Sequence, residues 1–245
     1  MKNRALFLAG VAAILPSVVA GSTIGTDLSA PAAHFAPPSD PIMLTRTVWR
    51  SLYDDKEIVS RRRYAIRFVP RGDGFAVFGE LVESAVDAPP ALFALAELER
   101  SRADSFLFPM QLDSNGRMVA EKQSLDSAVH GQGARTAQQI VRASQLTNPE
   151  KDQAESLIDQ MAGIGGGADW PMDLFNPERQ KRQEMRRMKL PGGGEGEINV
   201  SLTVQGLLQG RLPRTVERTV VTELAGTRKI TREQWVLETE IAPSQ

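Results

Sequence analysis

The sequence contains no cysteine. That removes disulfides, thiolate nucleophiles, cysteine metal ligands and the acylated cysteine of a lipoprotein. Histidine is almost absent too: His34 and His130 form neither an H-x-x-x-H nor an H-E-x-x-H pair, so a metal site would need carboxylates that the chain does not cluster. There is no G-x-S-x-G elbow, and His130 lies among Gly and Ser residues, which leaves a Ser-His-Asp arrangement without support. No sign of charge dominates, because the net value is −1 over 245 residues, whereas a nucleic-acid binder shows a basic domain. These absences argue against an enzyme, a cofactor, a metal and a nucleic-acid partner.

Long hydrophobic runs are also missing, with one exception. Met1-Lys2-Asn3-Arg4 is followed by an apolar run from Ala5 to Leu15, a break at Pro16 and small residues at Val18-Val19-Ala20. This is the pattern of a secretory signal peptide, and the run is short for a membrane span. A single Arg4 before it suits the Sec route better than a twin-arginine one. The expectation is export, cleavage after Ala20, and a soluble periplasmic or extracellular protein; an uncleaved N-terminal anchor is the competing reading. Cleavage would remove Lys2 and Arg4 and no acid, taking the charge to −3.

What is present reads as strands at both ends and helices between them. Residues 21–41 are rich in Ser, Ala and Pro without periodicity and are expected to form a leader that adds nothing to the core. In 42–52, Leu44, Val48 and Leu52 share a face; beyond a turn at 53–56, Ile58, Tyr64, Ile66 and Phe68 lie opposite Arg61, Arg63 and Arg67. The composition of 70–74 is that of a turn, and 75–82, apolar on both faces, reads as a central strand. Pro89-Pro90 precedes a helix over 91–102 with Leu92, Leu95, Ala96 and Glu99 in a stripe. Asn115-Gly116 predicts a hairpin.

The middle, 122–190, reads as a helical insertion. Helices are expected at 134–146, at 149–161 behind the N-cap Asn148, and at 176–190 behind Asn176-Pro177. Ala154, Leu157, Ile158 and Met161 form the apolar stripe of the second. The Gly163 to Gly167 run follows a helix and lacks the Lys-Ser or Lys-Thr of a phosphate loop, so it reads as a hinge. The clearest strand of all follows: Ile198, Val200, Leu202 and Val204 alternate with Asn199, Ser201, Thr203 and Gln205, and a meander through Val216, Val220, Leu224 and Trp235 ends near Ile241.

The expected fold is α+β: a twisted or curved, mostly antiparallel sheet of about seven or eight strands with middle-segment helices on one face, forming a single domain over 42–245. Arg46-Thr47-Val48 and Arg218-Thr219-Val220 open similar hairpins, which predicts equivalent places in one sheet, although chance similarity of hairpins competes. The architecture resembles that of periplasmic carriers of lipids and lipoproteins; no motif carries the likeness, and it implies no site residues.

Two functions follow as expectations. One is a non-catalytic envelope protein that holds an apolar or amphiphilic ligand between sheet and helices, with Ile198, Val200, Leu202 and Val204 facing the helix at 149–161. The other is a structural or assembly factor that meets an envelope protein or an anionic membrane through Arg179, Lys181, Arg182, Arg186, Arg187 and Lys189 on the helix 176–190. A solvated helix face is the plainer reading of those charges. Likewise, Arg61, Arg63 and Arg67 are expected to pair across the sheet with Glu217 and Glu223 or to bind an anion.

Overall fold

The computed structural model describes residues 35–52, 56–102, 107–119, 137–139, 141–143, 147–148, 151–152, 154–155, 170–189, 195–208, 211–224 and 227–239. The signal segment 1–20, His34, Asp54, Asp55, His130 and the glycine runs 163–167 and 192–194 lie outside them.

Eight strands form one antiparallel sheet: β1 (Ile42–Ser51), β2 (Glu57–Arg71), β3 (Gly74–Asp87), β4 (Met110–Leu112), β5 (Lys181–Lys189), β6 (Glu195–Leu207), β7 (Pro213–Leu224) and β8 (Thr227–Thr239). Their order is β4-β3-β2-β1-β8-β7-β6-β5. The first and last strands therefore meet at the centre, with Ile42 opposite Thr239 and Arg50 opposite Thr231. The two hairpins expected to be related, β1-β2 and β7-β8, are the four adjacent middle strands. Period-two alternation then assigns the faces. Ile42, Leu44, Arg46, Val48 and Arg50 share one face with Ile66, Tyr64, Arg62, Ser60 and Ile58 of β2 and with Leu237, Trp235, Glu233 and Thr231 of β8. This is the covered face. The opposite, open face carries Arg61, Arg63 and Arg67, as the spacing predicts.

Most of the covered face is apolar and closed by loops. Leu44, Tyr64, Ile66, Phe68, Val77, Leu202, Val204, Val216, Trp235 and Leu237 pack with Trp170, Leu174, Phe175 and Leu212 in one cluster. Phe35 joins it, edge-on to Phe68 and Phe75 at 6.1 and 5.5 Å. The end of the leader thus contributes to the core, against expectation, because an aromatic ring buries enough area to outweigh the ordering of a short extended segment. The ring lies over Gly116, whose φ of 74° needs glycine and where a Cβ would come within 2.5 Å of it.

A second, smaller cluster joins Ile58 to Leu92, Leu95, Ala137, Val141 and Ala154. Helix α1 (Phe93–Ser101), entered by a 3-10 turn at Pro90–Leu92, buries Leu95, Ala96 and Glu99 of the expected stripe. Residues 137–139, 141–143, 148, 151–152 and 154–155 are helical. The Lys151 amide donates to Thr147 O, so the second middle helix starts one residue before the expected position, with Thr147 in place of Asn148 at its cap. Ala154 packs with Ile58, Leu92 and Leu95, whereas Leu202 and Val204 pack with Trp170 and Phe175. Ala154 thus lies apart from Leu202 and Val204; the rest of the expected stripe, Leu157, Ile158 and Met161, lies outside the described residues.

Two elements differ from expectation. Residue 82 is an extra residue in β3, where the register passes from Arg63–Glu83 to Tyr64–Leu81. Strand β3 is not central, since it borders the three-residue edge strand β4; on its other face Phe78 is exposed under the Arg67 guanidinium. The larger correction is at 176–190, where Lys181–Lys189 is an edge strand paired with β6 from Thr203 to Glu195. Asn176 is no N-cap here: its Nδ2 donates to Asn115 O at 2.8 Å, tying the loop to the 113–116 turn. Among the described residues no helix is long and apolar enough to cross a membrane.

Candidate functional site

Alternation that puts apolar residues on the covered face of β1 also puts Arg46 and Arg50 there, and the same register brings Arg62 of β2, Arg218 of β7 and Glu233 of β8 alongside. These charges form a belt across the middle of the sheet, at the seam between the two apolar clusters. Arg50, Arg62, Glu99 and Glu233 are all buried. Charge inside a protein persists only where it is paired or used, so each member needs a partner.

Glu233, 2% exposed, is held on both sides. Arg46 Nη2 donates to its Oε1 at 2.6 Å, and Arg218 Nε donates to its Oε2 at 2.6 Å. Arg218 Nη2 also donates to Oε2. Both guanidinium groups stack near the Trp235 ring, at 5.8 and 5.4 Å, and Arg46 lies 5.5 Å from the Trp170 ring. The two arginines that open the similarly patterned hairpins therefore converge on one carboxylate. Across the belt, Arg62 holds the end of α1. It donates to Glu99 O at 2.7 Å, which also accepts from the Arg102 amide, and to Arg102 O at 3.0 Å, so it binds carbonyls of the helix C-terminus. The Glu99 carboxylate accepts from Arg102 Nε at 3.0 Å and lies 3.7 Å from Arg62.

Arg50 has no such partner. It is 5% exposed, its cross-strand neighbours are Ile58 and Thr231, and its Nε is buried without a hydrogen bond. Among the described residues no carboxylate forms an ion pair with it; the nearby acids already serve other arginines. Burial pushes its pKa down, Glu99 draws it up, and Arg46 pushes it down again. Arg46 Nε and Trp235 Nε1 are likewise buried without partners. All three unmet groups are donors. Within the belt, four sheet arginines face two glutamates, so positive charge is in surplus. Such a site can receive hydrogen-bond acceptors and negative charge; it offers no nucleophile beside a base.

The sequence-predicted contact residues lie elsewhere, on and before β5. Alternation distributes Lys181 and Arg187 to the open side and Arg182 and Arg186 to the other, so they do not form one patch. Arg182 lies 3.2 Å from Asp173, Arg186 3.2 Å from Glu184 and Arg187 3.8 Å from Glu197; Lys181 is exposed, Arg179 is half-buried before the strand, and Lys189 ends it. The open-face arginines do not pair with Glu217 and Glu223 as expected. Arg61 pairs with Glu83 on adjacent β3 at 3.1 Å, and Arg67 stacks on Phe78. Glu217 accepts from Gln234, and Glu223 lies 3.6 Å from Arg228, because β7 neighbours β8 and not β2. Of the tryptophans, Trp170 and Trp235 are core; Trp49 sits on the open face under Arg232, 4.2 Å away. The belt itself was missed. Its signal was present: Arg46, Arg50, Arg62, Arg218 and Glu233 all occupy the apolar phase of otherwise alternating strands.

No protein-family model matches the chain, and no curated protein matches it. Among solved structures, the crystal structure of a LolA superfamily protein from Nitrosomonas europaea is similar at 9% identity, covering 85% of this chain and 90% of that chain with a TM-score of 0.19. A TM-score that low carries no argument about fold or function.

Proposed function

We propose that this protein is an exported, non-enzymatic envelope protein that binds an apolar or amphiphilic molecule on the covered face of its sheet. The observation that supports the reading is the belt at the seam of two apolar clusters. A core built for stability alone gains from replacing buried charge with well-packed apolar side chains, yet here Arg46, Arg50 and Trp235 keep buried donors without acceptors. An amphiphile offers both complements, acceptors for the belt and apolar surface for the clusters. The protein purified from its native compartment should carry such a molecule, detectable by native mass spectrometry and solvent extraction. Recovery of an empty protein that binds no alkyl amphiphile would overturn the reading.

The edge position of β5 favours a second reading, contact with a protein partner or an anionic membrane. Replacing Arg186 and Arg187 with Glu should then abolish liposome binding or pull-down; unchanged binding removes it.

A further inference from the structure

Arg50 is the group on the covered face that the fold itself does least to explain. Its place follows from β1, whose even-numbered residues from Ile42 to Arg50 all turn to that face. At the end of the series its cross-strand neighbours are Ile58 and Thr231. Burial pushes its pKa down, and among the described residues Glu99 and Glu233 draw it up without forming an ion pair with it. The other arginines of the belt have work within the fold: Arg46 and Arg218 hold Glu233, and Arg62 binds the end of α1. Among the described residues Arg50 forms no ion pair, its Nε is buried without a hydrogen bond, and it is 5% exposed.

An arginine keeps its proton at any ordinary pH, so the charge cannot be shed to relieve burial. Its fork of donors fits planar or tetrahedral oxyanions better than single-point acceptors. Neutral acceptors would leave the surplus charge in place, and cations would add to it. We propose that Arg50 anchors the oxyanion head, a carboxylate or phosphate, of the bound molecule, with Arg46 Nε and Trp235 Nε1 as further donors on the same face. The inference deepens the ligand-binding reading and rests on it for the apolar part of the ligand. A free oxyanion would satisfy the same donors, so the probes must separate head from tail.

The test uses the mature protein freed of lipid, as wild type and as Arg50→Met, titrated with dodecyl phosphate, dodecyl maltoside and inorganic phosphate. Dodecyl phosphate should bind wild type and weaken at least about tenfold in Arg50→Met, the loss expected for a charged hydrogen bond. Dodecyl maltoside should bind both proteins alike. Ligand-free Arg50→Met should melt no lower than wild type. Equal dodecyl phosphate binding by the two proteins overturns the anion site and leaves the ligand-binding reading standing. A markedly lower melting temperature for the variant also overturns it, by making Arg50 a structural residue. Binding of inorganic phosphate alone, lost in Arg50→Met, keeps the anion site and sinks the amphiphile. Failure of all three probes sinks both.

Discussion

Glu233 and Arg50 sit on neighbouring central strands and respond to mutation in opposite directions. Glu233 balances two guanidinium groups at once, with its own side chain and that of Arg46 well shielded from solvent. Replacing it with Gln leaves Arg46 and Arg218 facing each other without a counter-charge, and breaking a buried pair in this way costs about 3 kcal/mol or more. Urea unfolding of Glu233→Gln should show that loss. Arg50→Met, by contrast, removes an unpaired buried charge and should not destabilise. The sign with pH follows from its lowered pKa. Folding disfavours the protonated form, so the penalty is constant wherever Arg50 is charged in both states and fades only as strongly alkaline pH approaches the ordinary arginine value. The stability difference between wild type and Arg50→Met should therefore be flat through the neutral range. Phe35 supplies a third case. Its ring packs edge-on against Phe68 and Phe75, and Phe35→Ala should cost about 3 kcal/mol, as large-to-small core changes do.

At the scale of elements, what could be read from the sequence depended on whether one face of a segment is buried. Strands β1, β2, β6, β7 and β8 are covered on one side, so alternation marks them, and Asn115-Gly116 marks the turn that leads Leu112 to its bridge with Met118. Strand β5 carries no such mark. Lys, Arg, Gln, Glu and Met all have high helix propensity, and an edge strand wet on both faces imposes no period; pairing with β6, visible only in three dimensions, decides its state. The belt was hidden for a related reason, because alternation tells which face an arginine occupies but not whether another strand delivers an acid to it. Charges along an edge also guard it against pairing with other chains. Replacing Lys181, Arg186 and Arg187 with Thr keeps strand propensity and removes that guard. The triple variant should shift toward dimers and larger species in sedimentation velocity at unchanged far-ultraviolet circular dichroism.

The whole molecule is closed by the pairing of its first and last strands. Residue 42 lies opposite residue 239, and β1 and β8 stand at the centre of the sheet, each with a strand on either side. Neither the β4-to-β1 half nor the β8-to-β5 half completes the belt without the other, since Arg46 comes from β1 and its acid, Glu233, from β8. Trp170 and Trp235, 6.0 Å apart, report on the same seam. Contacts between distant parts of the chain must form before the core is sealed, and topologies of this kind fold in roughly milliseconds to seconds. Tryptophan fluorescence, which senses the seam, and far-ultraviolet circular dichroism, which senses all strands, should then give coincident urea transitions. Truncation after Leu224 should remove cooperative unfolding altogether, because it exposes β1 and β7 and leaves Arg46 and Arg218 without Glu233. A truncated chain that still unfolds cooperatively would mean that the N-terminal strands form a stable unit by themselves, and the seam would lose its claim to hold the sheet together.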